Sequence, residues 1–229
     1  MNRHFIWFKN WPLIYGRVPK VANSSIKASL CRLLEQKPVK GIRTTSDAFW
    51  SQGTHGETSM LGHQEAIMCR GTHFCFSFVR NPFDRLVSAF NNKVVELDVI
   101  PGPMQKMGLT KGMTFASFLE CIAATNDDDL DVHLLPQSTI LYQNSKLIPD
   151  FIGKLEQMEH DWAELQVRLK QEGIANLGEL PQKNRRRSDN CSDLKNYFSD
   201  PGLIRLAADR FQDDLNLFYE ELDLNQISR

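Results

Sequence analysis

Lys20 stands between an apolar run, Pro12-Leu13-Ile14-Tyr15, and a stretch that opens on the small residues Ala22, Asn23, Ser24 and Ser25. This layout predicts a strand, a phosphate-cradling turn and a helix start. The first backbone N–H groups of a helix have no partner inside it, and the helix dipole favours an anion there. A lysine adds a movable point charge. The chemistry on offer is therefore the binding of a phosphate-like group. The P-loop of nucleotide triphosphatases places Gly directly before the Lys and a Mg²⁺-holding Ser or Thr directly after it. Here Pro19 precedes Lys20 and Val21 follows. The cradle is kept and the metal ligand is not, so a donor that needs no metal fits better than ATP with Mg²⁺. A Pro-containing loop with a surface lysine and a helix capped by Ser24 accounts for the same residues without a ligand.

A second group of residues suited to an anion follows the run His73-Phe74-Cys75-Phe76-Ser77-Phe78-Val79, which is short, aromatic and β-branched and predicts a central strand. It leads into Arg80-Asn81-Pro82-Phe83-Asp84-Arg85-Leu86-Val87-Ser88, where Pro82 suits the first turn of a helix. Arg80 then sits at the carboxyl end of a strand, where ligands bind in open α/β sheets. Ser88 lies two turns into the next helix. Lys20 and Arg80 are expected at the same sheet edge. For Arg80, a salt bridge to Asp84 is the alternative to an anion. Arg85 is expected in a structural or surface pair.

The elements that must position these residues follow from periodicity. Residues 12–18 predict a buried strand and 24–36 the helix after the turn. Residues 39–58 read mostly as loop and 59–70 as a short helix. An exposed loop spans 98–113, and Phe115, Phe118, Leu119 and Ile122 mark a helix. The acidic stretch 126–131 reads as a turn. Residues 139–142 and 151–152 predict extended segments, 156–172 a charged amphipathic helix, and 200–222 a final helix. The basic run Lys183 to Arg187 reads as a solvated face. The pattern predicts one α/β domain over residues 1–229.

Bulk properties narrow the function classes. The chain has 229 residues, 41% hydrophobic and 24% charged, enough for a substantial core. A formal charge of −1 gives no global field for nucleic acid or a membrane surface, so any anion site must be local. Five scattered cysteines, none in a C-x-x-C pair, argue against a zinc site or a disulfide framework and fit free thiols in a reducing compartment. No segment has the length of a transmembrane helix, about 18–20 apolar residues. Residues 1–11 have no apolar core of signal-peptide length. A soluble, cytoplasmic chain is expected.

Four stretches resemble the carbohydrate sulfotransferases, in particular the branch with the chondroitin, HNK-1 and heparan 2-O-sulfotransferases. Arg17-Val18-Pro19-Lys20-Val21-Ala22-Asn23-Ser24-Ser25 is similar to that family's 5′-phosphosulfate loop. Phe78 to Lys93 is very close to its 3′-phosphate motif. Asp131-Val132-His133-Leu134-Leu135-Pro136 with Asp150 to Glu156 is the third stretch, and Tyr197-Phe198 with Asp213 to Phe218 is the fourth. The resemblance implies a P-loop-like three-layer α/β fold with a central, mostly parallel sheet flanked by helices. It also implies the donor 3′-phosphoadenosine 5′-phosphosulfate (PAPS), no metal, and a hydroxyl acceptor, expected to be a carbohydrate. By the same resemblance Lys20, Val21, Ala22, Asn23, Ser24 and Ser25 hold the 5′ end, and Arg80 and Ser88 the 3′-phosphate. Among six histidines, His133 is the first choice as general base, with Asp131 to orient it. His63, His55 and Glu65 are the runners-up. Asn184 resembles a recurring family asparagine. Animal members are anchored in the Golgi and use cysteine pairs, and neither feature is legible in this chain. The acceptor is expected to meet the loops at 44–58, 98–112 and 125–137. Two other classes stay open on the residues alone: a P-loop-like nucleotide kinase, and a non-catalytic nucleotide- or glycan-binding module.

Overall fold

The computed structural model describes residues 3–181 and 194–227. The basic run Lys183 to Arg187, with Asn184, and Cys191 lie outside them. The described residues fall into two compact units. The first takes in the chain up to Val79 and again from Ile140 to residue 181. The second runs from Arg80 to Thr139 and takes up the chain from residue 194.

The first unit is built on a sheet of β1 (Phe5–Phe8), β2 (Leu13–Gly16), β3 (Thr58–Leu61), β4 (Phe74–Val79) and, after the small hairpin of β5 (Tyr142–Gln143) and β6 (Lys146–Leu147), β7 (Phe151–Lys154). The order is β3-β1-β2-β4-β7. β2 pairs with β4 and β4 with β7 in parallel, while β1 is antiparallel to both β2 and β3. Four of the five strands thus run the same way, as expected for a mostly parallel α/β sheet. Phe5, Ile6, Phe8, Leu13, Ile14, Phe76 and Phe78 are essentially buried. Each such side chain contributes about 1.5–3 kcal/mol through the water it sheds. The flanking helices are α1 (Asn23–Leu30), α2 (Asp47–Gln52) and α3 (His63–Met68).

Gly153 in β7 has a packing reason. A Cβ built there would lie 2.2 Å from the Phe78 ring of β4, so only glycine lets the two strands pair at this point. The carboxyl end of β7 is tied to the long helix that follows β7: the backbone N–H of Lys154 donates to Asp161 Oδ2 at 2.6 Å.

The second unit is helical. α4 (Pro82–Phe90) starts on the Asn81 side chain, whose Oδ1 accepts from Phe83 N at 2.9 Å, with Pro82 in its first turn. A π-helical turn, Asn91–Glu96, extends it. α5 (Gly102–Lys106) and α6 (Phe115–Ala124) follow, then the start of α7 (Gln137–Leu141). The helix tied to β7, α8 (Met158–Gln171), belongs to the first unit, and α9 (Leu194–Tyr197), α10 (Pro201–Arg210) and α11 (Gln212–Phe218) complete the second. Its core is aromatic. The Phe83 and Phe198 rings meet edge-on at 5.1 Å, and Phe115 meets Phe198 at 5.0 Å and Phe90 at 5.4 Å.

Several boundaries depart from expectation. Residues 5–8 form a strand that the sequence reading did not assign. The helix expected over 59–70 divides at Gly62 into β3 and α3, because Met60 on β3 is buried in the sheet and Glu65 caps α3 by accepting from Gly62 N at 2.7 Å. Residues 47–52, read as loop, are helical behind the N-cap Ser46. The short helix α5 likewise interrupts the loop expected over 98–113. Residues 137–141 are helical, where 139–142 was expected to be extended; a carboxylate from distant Asp214 caps that helix. The final helix breaks at Phe211 into α10 and α11. Among the described residues no helix is long and apolar enough to cross a membrane.

Candidate active site

The turn after β2 is the clearest local feature of the first unit. Lys20 has φ 69° and Ala22 has φ 44°, both in the left-handed region that side chains bearing a Cβ rarely adopt. Such a conformation persists only where surrounding contacts hold it, and it is found where backbone N–H groups converge on an anion. The helix that follows begins at Asn23, one residue before the expected start, with Ala22 as its N-cap and no side-chain cap. Ser24 is therefore inside the first turn rather than capping it. The arrangement of a strained turn and a helix start without a side-chain acceptor suits an external anion. Lys20, Ala22, Asn23 and Ser24 are half-buried, whereas Val21 and Ser25 are buried. Tyr15, buried on β2, donates its hydroxyl to Asn23 Oδ1 at 3.2 Å. That bond fixes the Asn23 amide with its oxygen toward Tyr15 and its NH₂ the other way.

Two further cations in the same stretch do a different job. Arg17 Nη2 lies 2.7 Å from Asp47 Oδ2, and Lys27 Nζ lies 3.1 Å from Asp47 Oδ1 and donates to Thr45 O at 3.0 Å. Arg17 is 7% and Lys27 1% exposed. Burial pulls both below their usual pKa, and Asp47 opposes the shift. Asp47, the first residue of α2, thus ties the entry of the turn to the first helix beyond it. The sequence carried no signal for this brace, since Asp47 lies in what reads as loop.

β2 and β4 are parallel neighbours, so both end at the same sheet edge, with Arg80 the residue bonded to Val79. In the second unit Arg80 is 8% exposed and Ser88 half-buried on α4. Gln137 grips the Arg80 peptide on both sides. Its Oε1 accepts from Arg80 N at 2.9 Å, and its Nε2 donates to Arg80 O at 2.8 Å. Arg85 is buried and donates from Nη1 to Leu135 O at 2.8 Å. Burial pulls its pKa to about 10, and Asp214 opposes the shift.

His133 and Asp131 do meet. His133 Nδ1 is 2.7 Å from Asp131 Oδ1, which also accepts from His133 N at 2.9 Å. With Nδ1–H donated to the carboxylate, proton exchange falls to Nε2, the arrangement a general base needs. Burial pushes the Asp131 carboxyl up, but the bonds and charge of His133, with Lys93, outweigh it and hold the carboxyl below its usual range. The runners-up have structural partners. His63 Nε2 is 2.9 Å from Ile140 O, and His55 Nε2 is 3.2 Å from Lys37 O. Glu65 is the cap of α3. His4 is buried, and burial, with the charges of Arg17 and His63, pulls it down to about 4, so it is neutral near pH 7. On α8, His160, Asp161 and Glu164 bring potential metal-ligand atoms within 4.8 Å of one another. Both Asp161 oxygens are engaged there, by Lys154 N and by His160 Nδ1 at 2.9 Å.

Comparison with known proteins bears on the same segments. Carbohydrate sulfotransferase 14 of Mus musculus is 28% identical over 174 residues, 69% of this chain and 44% of that protein. Carbohydrate sulfotransferase 14 of Homo sapiens is 26% identical over 174 residues with the same shares. The chain spans less than half the length of the curated relatives it matches. No solved structure matches it. The profile of the sulfotransferase family matches residues 3–220, a span that takes in the left-handed turn at Lys20, the gripped peptide at Arg80 and the Asp131–His133 pair; the chain belongs to the sulfotransferase family.

Proposed function

We propose that this chain transfers a sulfuryl group from PAPS to a hydroxyl of a carbohydrate. The observation that carries the reading is the turn after β2, with Lys20 and Ala22 left-handed ahead of a helix that lacks a side-chain cap. The family match and the two relatives named carbohydrate sulfotransferases support the reaction and the acceptor class. The match runs through both compact units, and we take residues 1–229 as one catalytic domain. The four described cysteines are free, in keeping with a reducing, cytoplasmic setting.

Each residue has a role that its chemistry supports. Val21, Ala22 and Asn23 offer backbone N–H groups, and Asn23, Ser24 and Ser25 side-chain donors, to the 5′-phosphosulfate. Arg80 and Ser88 bind the 3′-phosphate, the arginine through its planar fork and the serine through one hydroxyl. His133 Nε2 takes the proton of the acceptor hydroxyl, whose oxygen forms the new bond to sulfur. The bond from sulfur to the bridging oxygen breaks, and adenosine 3′,5′-bisphosphate leaves. Lys20 stabilises the negative charge that grows on the bridging oxygen, so it favours the transition state over the ground state. Asp131 keeps His133 in the tautomer that leaves Nε2 basic.

A kinase or triphosphatase would need a metal-holding hydroxyl where this chain has Val21, which is fully buried. A binding module without chemistry would make no use of the Asp131–His133 pair. Calorimetric titration with adenosine 3′,5′-bisphosphate in EDTA, followed by a transfer assay from PAPS to a panel of glycans, tests the reading. Binding without added metal and transfer to at least one glycan are expected. No binding, with Mg²⁺-dependent ATP turnover in its place, would reject it.

A further inference from the structure

We propose that Gln137 and Asp214 are positioning residues for 3′-phosphate recognition, holding the Arg80 peptide through a buried amide–carboxylate relay that does not itself touch the nucleotide. The inference rests on the assignment of Arg80 to the 3′-phosphate above.

Arg80 follows β4 directly, where the strand ends and its backbone groups leave the ladder. An unpaired peptide at a strand end can swing, and the side chain swings with it. The Gln137 amide takes the place of a neighbouring strand by binding both Arg80 N and Arg80 O. A glutamine amide can flip, which would set oxygen against carbonyl and NH₂ against N–H. Asp214 blocks the flip. Its Oδ2 lies 3.3 Å from Gln137 Nε2 and accepts from Gln137 N at 2.9 Å, while Oδ1 accepts from Ser138 N at 2.6 Å. A carboxylate in that place accepts only, so the NH₂ end of the amide must face it. Gln137 and Asp214 are both 0% exposed, and these bonds form in a low-dielectric setting where each mispairing is costly. Asp214 also starts α7, so one carboxylate sets both the helix that carries Gln137 and the orientation of its amide. Burial pushes the Asp214 carboxyl up, and the N–H groups of Ser138 and Gln137 with the charge of Arg85 oppose the shift.

The relay matters for recognition because a planar fork reads a phosphate only from a fixed origin. A displacement of about 1 Å in a positioning group costs on the order of a hundredfold in well-aligned sites. Gln137 is a neutral amide whose partners lie far away in the sequence, which is why its role is invisible from residue type.

The test compares affinities of the full chain for adenosine 3′,5′-bisphosphate and adenosine 5′-phosphate, which differ only in the 3′-phosphate. Their ratio is the 3′-phosphate preference. Arg80→Ala is the control for the underlying reading and should abolish the preference. Gln137→Met keeps length and volume but removes both bonds to Arg80. It should lower the preference about tenfold or more while leaving affinity for adenosine 5′-phosphate within about twofold. Asp214→Asn keeps the shape and one acceptor, and it should lower the preference by a smaller step in the same direction; it carries the test if Gln137→Met does not fold. An unchanged ratio in a folded variant overturns the relay. Equal loss of both affinities overturns it too, in favour of a purely structural role. A wild-type chain without the preference, or Arg80→Ala that retains it, overturns the Arg80 assignment instead.

Discussion

Asp131 accepts two hydrogen bonds from His133, one from the ring and one from the backbone, and the ring bond is the one that the proposed general-base role uses. The carboxyl is held below its usual range, so its folded pKa lies under the unfolded value of about 3.9. A depressed carboxylate contributes stability that is fully present above the unfolded value and is lost as pH falls through the folded one. Asp131→Asn should therefore destabilise the chain near neutral pH and much less at an acid pH below the folded value, where the wild-type carboxyl is itself protonated. Urea midpoints of the two proteins at both pH values measure this. A gap that stays the same at acid pH would contradict the assignment. The histidine was identified through a family-like segment, but its contact with Asp131 was not legible, because two residues of separation in a loop do not decide whether side chains meet. Lys20, Arg80 and Ser88 were legible as candidates from type and spacing together with the resemblance. Asp47, Gln137 and Asp214 were not, since each acts through a partner 20 or more positions away.

At the scale of elements, Asp47 ties Arg17, ahead of the turn after β2, to Lys27 in the helix beyond it. Removing Asp47 would leave Arg17 and Lys27 buried without their counterion. Asp47 is itself half-exposed, so the loss falls between that of a surface pair and a buried one: Asp47→Ala should cost about 2 kcal/mol in denaturant unfolding. A change under about 0.5 kcal/mol would show that the brace contributes little. Gly153→Ala tests the sheet in a similar way. The added methyl meets the Phe78 ring, and overpacking of this kind should cost about 1–3 kcal/mol. A variant as stable as wild type would mean that β4 and β7 separate easily. Strong periodic elements were readable from sequence: β2, β4, α4, α6 and α8 all lie where expected. The failures share a cause. β1 has no alternation because three of its four residues are buried. Residues 137–141 include β-branched Thr139 and Ile140, and propensity alone favours an extended form. The distant Asp214 cap overrides it, and no local window contains that information.

For the molecule as a whole, a formal charge of −1 means that affinity for an anionic donor must come from local groups rather than a general field. Such a site binds the folded chain and not the unfolded one, and so should raise its stability by mass action. At a hundredfold excess over Kd, adenosine 3′,5′-bisphosphate should add about 2.7 kcal/mol, equivalent to a rise in Tm of roughly 5–10 °C for a chain of this size. Adenosine 5′-phosphate at the same concentration should raise it less, and equal shifts would argue against a 3′-phosphate site. The most direct test of the account is sulfuryl transfer itself, measured from PAPS to the best glycan acceptor with wild type and Lys20→Ala, each shown to be folded. The account predicts transfer by the wild type and a fall of about 10²–10³ in kcat for Lys20→Ala, the usual consequence of losing one group that stabilises developing charge. Transfer by Lys20→Ala at the wild-type rate would contradict it.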